Sequence, residues 1–338
     1  MIAFQYTRPH DVADAVRQIA ADPAAKFIAG GTNLIDLMKY DVARPSRLID
    51  ITRLPLRTVE ETPGGGVRIG ALVPNSDLAY HPLIVQRYPI LASAILAGAS
   101  AQLRNMASTG GNLLQRTRCY YFYDISTPCN KREPGTGCSA TGGLNRMHAI
   151  LGTSDSCIAT HPSDMCVALA ALDATVHAAG PAGTRAIAFS DFHRLPGDTT
   201  QHDTNLHPDE IVTTVELPSR GFAANYTYLK IRDRLSYAFS LVSVAAALEL
   251  DGTAIKEARL ALGGVAHKPC RDPAAEAALC GQTVGQPAFA RAADVLLCEA
   301  KGFEHNAFKI DLARRAVVRA LTQAAAGTPQ SQSSKKIA

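Results

Sequence analysis

Ser108-Thr109-Gly110-Gly111-Asn112 is the stretch around which the chain is organised. A double-glycine turn lets backbone N–H groups come close to a phosphate. Directly after it, Cys119, Cys129, Cys138 and Cys157 are spread through a polar loop punctuated by Gly and Pro. Four cysteines within 39 residues can hold a metal centre. Upstream, Pro89 to Ala107 is rich in Ala, Ile and Leu and predicts a largely buried helical region that delivers the chain to this turn. Further upstream, Lys26-Phe27-Ile28-Ala29 predicts a short strand, followed by Gly30-Gly31-Thr32-Asn33 and a helical pattern at Leu34, Leu37, Met38 and Tyr40. Strand, glycine turn, helix is a phosphate-binding arrangement. It is not the GxGxxG fingerprint, and a tight strand-to-helix turn would use the same residues. Two such turns could clasp one pyrophosphate from two sides.

The other elements follow from local patterns. Asp11 can cap a helix with apolar positions Val12, Ala15, Val16 and Ile19. Arg47 to Ile51 and Val67 to Ala71 predict strands, separated by Pro55 and the turn Pro63-Gly64-Gly65-Gly66. His161-Pro162-Ser163-Asp164 precedes a helical run from Met165 to Leu172. Ser163 or Asp164 would cap it, and Asp164 could instead hydrogen-bond a ribose or an ammonium-like group. Thr175 to Ala179, Ala186 to Phe189 and Ile211 to Leu217 predict strands. His193 to His207 is rich in His, but its spacings match no metal-ligand pattern and predict a solvated loop. Beyond residue 223 the composition shifts to strands at Ala223 to Ile231, Leu241 to Leu250 and Ala258 to Leu262, then helices at Pro287 to Ala300 and Asp311 to Ala325. That order predicts a separate α+β domain over 224–326, and the Gln/Ser/Lys-rich tail 327–338 predicts disorder.

With 338 residues, 47% of them hydrophobic and 19% charged, the composition is that of a globular protein. The net charge of +4 is dispersed, so no Lys/Arg stripe points to nucleic acid. No apolar run reaches the roughly 18 residues of a membrane span. The N-terminal residues Met1 to Pro9 lack the basic start and apolar stretch of a signal peptide. Cys166, Cys270, Cys280 and Cys298 lie in Ala- and Leu-rich segments and are expected to be small buried hydrophobes.

The loop cysteines need another account. Their gaps are too long for a zinc knuckle or a CxxC redox pair, and they miss the CxxCxxC run of bacterial ferredoxins. An iron–sulfur centre, a structural zinc and two disulfides all remain compatible with the spacing. Arg116, Arg118, Lys131, Arg132 and Arg146 could offset the charge of four thiolates, and Gly135, Gly137, Gly142 and Gly143 could let amides approach sulfur.

Ala29-Gly30-Gly31-Thr32-Asn33-Leu34, Arg104-Asn105-Met106-Ala107-Ser108-Thr109-Gly110-Gly111-Asn112, Ser163-Asp164 and Lys230-Ile231-Arg232 occur in the order seen in FAD-binding subunits of molybdenum hydroxylases. The resemblance covers about residues 1–325. Most members of that family lack a cysteine loop. The loop here, with Cys119-Tyr120-Tyr121-Phe122-Tyr123-Asp124 and Cys129-Asn130-Lys131-Arg132, resembles the flavin subunit of bacterial periplasmic aldehyde oxidoreductase; a similar insertion occurs in 4-hydroxybenzoyl-CoA reductase. The resemblance implies an α+β fold: a two-lobed vanillyl-alcohol-oxidase-like (PCMH-type) FAD-binding domain over 1–223, with an iron–sulfur loop at 115–160, followed by the small α+β domain. It implies FAD held by Lys26, Phe27, Ile28, Ala29, Gly30, Gly31, Thr32, Asn33, Leu34, Ser108, Thr109, Gly110, Gly111 and Asn112. Asp164 would face the adenosine side, Lys230 the flavin or phosphate side, and Val212 would make an apolar contact. It implies a [4Fe–4S] cluster on Cys119, Cys129, Cys138 and Cys157, with Cys166 left in the core. No catalytic acid or base is expected in this chain, because the flavin performs the two-electron chemistry. The implied partners are a large molybdopterin-binding subunit, a small subunit with two [2Fe–2S] clusters and an external electron acceptor. The implied location is the periplasm, reached on a partner that bears the export signal; the alternative is the cytoplasm. The flavin subunit of a 4-hydroxybenzoyl-CoA-reductase-like enzyme, a free-standing flavin oxidase, and a binding module stapled by zinc or disulfides are the rival readings.

Overall fold

Asp11 accepts a hydrogen bond from the Asp14 amide and so starts the first helix, whose face Ala15, Val16 and Ile19 is buried. This computed structural model describes residues 1–332. The first lobe contains β1 (Gln5–Thr7), α1 (Val12–Ala21), β2 (Lys26–Ile28), α2 (Leu34–Lys39) and β3 (Arg47–Asp50). Its strands form a parallel sheet in the order β1-β3-β2. Gly30 and Gly31 sit where β2 ends and the chain turns into α2, and Gly31 has φ +72°, a conformation that favours glycine.

The second lobe comprises β4 (Val59–Glu61), β5 (Val67–Gly70), α3 (Asn75–Tyr80), α4 (Pro82–Arg87), α5 (Pro89–Ala97), α6 (Ala101–Met106), α7 (Thr109–Leu113), α8 (Tyr120–Tyr123), α9 (Asp164–Ala171), β6 (Thr175–Gly180), β7 (Gly183–Ala188), α10 (Phe189–Phe192) and β8 (Ile211–Leu217). Its sheet is antiparallel in the order β4-β5-β8-β6-β7. Pro89 to Ala107 is not one helical region. It breaks at Gly98-Ala99-Ser100, where Ala99 takes φ +50° and Ser100 caps α6 by accepting from the Leu103 amide. The seven-residue strand β8 matches its sequence pattern: Ile211, Val212, Val215 and Leu217 are buried.

The C-terminal domain holds β9 (Tyr226–Ile231), β10 (Val242–Asp251), β11 (Ala254–Gly263), β12 (Cys270–Arg271), α11 (Pro273–Ala277), α12 (Gln286–Leu296) and α13 (Phe308–Ala325). Its sheet, β12-β11-β10-β9, is antiparallel. Strand β10 is apolar on both faces, and the period of two divides it. Val242, Val244, Ala246 and Leu248 join the core with α12 and α13, whereas Ala245 and Ala247 join the core with α5 and α9. Full burial of such a side chain is worth about 1.5–3 kcal/mol, so this sheet welds the C-terminal domain to the flank of the second lobe.

The tail differs from the expected disorder as far as it is described. The Gln330 side chain accepts from the Lys230 amide at 2.9 Å, and Gln332 donates to the Tyr228 carbonyl at 3.1 Å. The exposed edge of β9 offers unpaired backbone groups, and these glutamines satisfy them. Residues 333–338 of the predicted tail lie outside the described residues. Among the described residues no helix is long and apolar enough to cross a membrane.

Candidate functional site

A cavity of about 930 Å³ opens where the two lobes and the C-terminal domain meet. Thr32, Asn33, Asp36 and Tyr40 line it from the first lobe, Asn75, Gly111, Asn112, Ser163 and Asp164 from the second, and Lys230, Tyr237 and Phe239 from the C-terminal domain. Arg118, Tyr120, Tyr123, Asp124 and Ile125, from the start of the cysteine loop, complete the wall. The volume suits a large organic cofactor. Of the residues expected to hold FAD, Thr32, Asn33, Gly111, Asn112, Asp164 and Lys230 line this cavity; Lys26, Phe27, Ile28, Ala29, Gly30, Gly31, Leu34, Ser108, Thr109, Gly110 and Val212 are outside its lining.

The two glycine turns touch. A Cβ on Gly30 would lie 1.8 Å from the Met106 carbonyl oxygen, just ahead of Ser108. Their amides are used differently. Gly110 N–H donates to the Ala71 carbonyl at 2.7 Å and Thr109 N–H to Val73 at 2.9 Å. Gly111 N–H donates to Ser108 Oγ at 3.3 Å. Gly31, Thr32 and Asn33 donate no backbone hydrogen bond among the described residues. The expectation that both turns offer amides to a phosphate is therefore corrected: the amides free for an anion are those of the first turn. The second turn is stitched onto the end of β5, and its polar face is presented by Asn112. That side chain donates to Asn75 Oδ1 at 2.8 Å and accepts from Ser163 Oγ at 2.6 Å and Gln115 Nε2 at 2.9 Å.

Ser163, not Asp164, caps α9, accepting from Cys166 N at 3.0 Å. Asp164 and Lys230 do not face separate ends of the cavity. They form a buried ion pair of 2.8 Å, with Tyr228 OH donating to Asp164 at 2.8 Å and Lys230 donating to the Ala97 carbonyl at 3.1 Å. A buried charge needs a partner, and each is the other's. Val212 is also placed away from the cofactor cavity: it is buried in β8 opposite Ala178.

The cysteine loop forms a second, much smaller cavity, lined by Cys119, Cys129, Cys138 and Cys157 together with Lys131, Phe122 and Ala159. All eight cysteines are free thiols, so the loop is not closed by disulfides. Burial pushes the Cys119 thiol up to about 12, with the Phe122 and Tyr121 amides opposing and Cys129 and Cys157 adding to the rise. Burial pushes Cys157 up to about 11, against nearby Lys131 and the Ala159 amide. Four sulfurs around one cavity, with backbone amides beside Cys119 and Cys157, fit a metal centre that binds thiolates. The amides reaching sulfur are not those of the loop glycines. Gly135 and Gly137 donate to Asn130 Oδ1 at 3.0 and 2.8 Å instead, closing a local turn. Of the five expected cations, Lys131 lines this cavity. Arg132 braces the Tyr121 and Phe122 carbonyls, Arg118 bonds Tyr123, Arg146 pairs at the surface with Asp233, and Arg116 pairs with Asp203.

Asp203 is the anchor that sequence reading missed. It takes Lys131 Nζ at 2.5 Å and Arg116, so the 193–207 segment is not merely solvated. Burial raises its carboxyl, but Arg116 and Lys131 outweigh that and hold it well below the usual carboxylate range. The first glycine turn holds the other end of the loop, since Asn33 Oδ1 accepts from Arg116 N at 2.9 Å. The pairings join residues far apart in the chain, and no local signal marks them. Cys166 lies in α9, with its sulfur near His161 and His193. His161 Nδ1 accepts from Ser163 N, which leaves its proton on Nε2, and His193 gives its Nε2–H to the Leu113 carbonyl. These tautomers suit a donor facing an acceptor in the core rather than a set of metal ligands. Cys280 and Cys298, expected in the core, are exposed. Each follows the last turn of a helix, beyond its buried face.

Residues 2–220 match the FAD-binding domain of molybdopterin dehydrogenases, and residues 226–324 match the C-terminal domain of CO dehydrogenase flavoproteins. The aldehyde oxidoreductase FAD-binding subunit PaoB of Escherichia coli (strain K12) is 50% identical over 327 residues, covering 96% of this chain and 99% of that protein. The glyceraldehyde dehydrogenase medium chain of Sulfolobus acidocaldarius is 29% identical over 269 residues, 79% of this chain and 78% of that one. Among solved structures, carbon monoxide dehydrogenase from Hydrogenophaga pseudoflava superposes with a TM-score of 0.76 at 27% identity, over 96% of this chain and 99% of its own.

Proposed function

This chain belongs to the FAD-binding subunits of the molybdenum hydroxylases, and from that premise we propose that it is the FAD- and [4Fe–4S]-carrying electron-transfer subunit of a molybdenum-dependent aldehyde oxidoreductase. The names of two relatives, an aldehyde oxidoreductase and a glyceraldehyde dehydrogenase, support the aldehyde as substrate class. In this reading a large molybdopterin-binding subunit converts aldehyde and water to carboxylate, and a small subunit with two [2Fe–2S] clusters passes the electrons here. They leave to an external acceptor. When bound, FAD supplies the exchange between two-electron and one-electron chemistry, and the cluster a one-electron site.

The residues of this chain bind, orient and shield. The free amides of Thr32 and Asn33 would meet the cofactor's anionic part, and the side chains of Thr32, Asn33 and Asn112 would add hydroxyl and amide contacts. The paired Asp164 and Lys230 present a fixed dipole with no net charge to the same cavity. Cys119, Cys129, Cys138 and Cys157 would ligate the cluster, and Lys131 would offset its negative charge. One observation carries the proposal: α8 is a shared wall. Tyr120 and Tyr123 face the large cavity, while Cys119, Tyr121 and Phe122 face the cysteine cavity. The two redox sites would be separated by one turn of helix.

The test is flavin and iron analysis of the complex purified without oxygen. Ser substitution at each of the four loop cysteines is expected to remove the loop iron, whereas Cys166→Ser retains it. Iron lost in Cys166→Ser, or kept in Cys157→Ser, overturns the ligand set. The same reading implies a periplasmic location, reached by export in the folded state on a partner with a twin-arginine signal. Recovery of this chain in the periplasm when that signal is deleted, or in the cytoplasm when it is intact, would sink that part.

A further inference from the structure

His148 Nε2 lies 3.1 Å from Cys119 Sγ. The ring is buried, and its other nitrogen, Nδ1, has no hydrogen-bond partner. Cys119 Sγ is the side-chain polar group that the ring engages, with the Asn145 backbone the other polar group beside it. A histidine kept for packing alone would leave a polar atom stranded for no return.

The position of the ring is set from elsewhere. Lys309 Nζ donates to the His148 carbonyl at 2.8 Å and to the Gly264 carbonyl at 2.6 Å. Asn306 Nδ2 donates to the His148 and Ala149 carbonyls at 3.3 and 3.1 Å. His148 N–H closes a turn on Asn145 at 2.9 Å, and Asn145 Oδ1 in turn accepts from His305 N at 2.9 Å. The segment 305–309 therefore grips the backbone on which His148 rides, and buries both Asn306 and Lys309 to do so. Two polar side chains at full burial are a large commitment to the placement of one short segment.

We infer that His148 is a positioning residue for the metal centre: it donates Nε2–H to the Cys119 sulfur, fixes that ligand's direction, and raises the reduction potential of the centre. This rests on the cluster proposed above. The sign follows from charge. Reduction adds negative charge that is shared with the ligating sulfurs, so an N–H aimed at sulfur stabilises the reduced state more than the oxidised one. The four ligands are also unequal. Cys119 has this imidazole besides its amides, while Cys157 has Lys131 and the Ala159 amide, at 3.5 Å.

The experiment is a redox titration of the purified complex, followed by the spin-resonance signal of the loop centre, in wild type, His148→Leu and His148→Gln. Iron and FAD per chain are counted in each. His148→Leu is expected to keep the iron and shift the midpoint to lower potential. His148→Gln, whose amide N–H reaches the same region, is expected to recover part of the shift. An unchanged midpoint in His148→Leu with iron intact overturns the inference, as does equal behaviour of the Leu and Gln variants. Loss of iron in both variants makes the residue structural and also overturns it. Absence of loop iron from the wild type would instead refute the cluster itself, and the inference with it.

Discussion

Gly30-Gly31-Thr32-Asn33 and Ser108-Thr109-Gly110-Gly111-Asn112 look like two copies of one device, yet the fold uses them in opposite ways. In the first, the amides after Gly30 make no backbone hydrogen bonds among the described residues, and the side chains of Thr32 and Asn33 line the cavity. In the second, the amides of Thr109 and Gly110 are consumed by the β5 end, and the turn acts as a rivet. Glycine is required in both, but for different reasons. At Gly30 the need is close approach to the backbone of the other turn, and at Gly31 it is a positive φ. At Gly110 a Cβ would meet Ala71 Cβ at 3.1 Å and the Ala71 carbonyl oxygen at 3.3 Å, a tight contact but not the overlap found at Gly30. A double glycine in a sequence therefore signals crowding around a backbone. It does not say whether a ligand or the protein itself does the crowding.

The largest effect expected from this contrast is at Gly30. Gly30→Ala places a methyl 1.8 Å from the Met106 carbonyl oxygen, a backbone atom that cannot swing aside. The two turns must part, at a cost of about 3 kcal/mol. FAD per chain should fall at least tenfold, by absorbance of the purified protein, along with the urea midpoint. Gly110→Ala should cost about 1 kcal/mol and keep most of the flavin. Equal flavin loss in the two variants would break the distinction between the turns.

Part of this was legible in the sequence and part was not. Strands such as β8 and the helix patterns at Val12 to Ile19 and Asp311 to Ala325 carry their period in the residues themselves, and the structure places elements there. The break between α5 and α6 was hidden, because Ala99 adopts a left-handed conformation that its identity does not announce. The short helices α3 and α4 were missed for want of two full turns of pattern. At the site, both glycine turns and the cysteine set stood out by residue type. Asp203 and His148 did not, since each earns its role through a partner 72 or 29 positions away in the chain. The ion pair of Asp164 with Lys230, 66 positions apart, was unreadable for the same reason, and so each was assigned a separate end of the cofactor.

The two asparagines that follow the glycines sharpen the comparison. Asn112→Ala deletes a half-buried hub with three side-chain partners, Asn75, Ser163 and Gln115, and should lower stability by about 2 kcal/mol with loop iron retained. Asn33→Ala frees the Arg116 amide and the Tyr123 hydroxyl instead, so loss of iron should exceed loss of stability. A thermal melt and an iron count on both variants decide it. The opposite pattern would mean that the second turn, not the first, anchors the cysteine loop. Smaller again is Ser108→Ala, which removes the cap that accepts from Gly111 N; about 1 kcal/mol is expected in the same melt. No change at all would show that the rivet is held by the Ala71 and Val73 carbonyls alone.

The smallest expected effect is that of a mild fall in pH, to about 6, and through His193 it should reach the second turn. His193 Nε2 donates to the Leu113 carbonyl at 2.9 Å, at the end of α7. Burial lowers this histidine to about 4; the Leu113 bond and Asp203 oppose that fall, Lys268 adds to it, and the His161 ring packs 4.3 Å away. A base whose pKa is lower in the folded state binds fewer protons there than in the unfolded chain. Its contribution to stability is therefore complete above about 6.5 and is lost as pH falls toward 4. At pH 6 the loss is below about 1 kcal/mol. Hydrogen exchange, corrected for intrinsic rates, should show falling protection of the Asn112 and Leu114 amides between pH 6.5 and 4, with the β2–β3 ladder unchanged. His193→Gln should flatten that dependence. If the β2–β3 ladder loosened in parallel, the two turns would be parts of one cooperative unit, and their different uses of the backbone would have no separate energetic meaning.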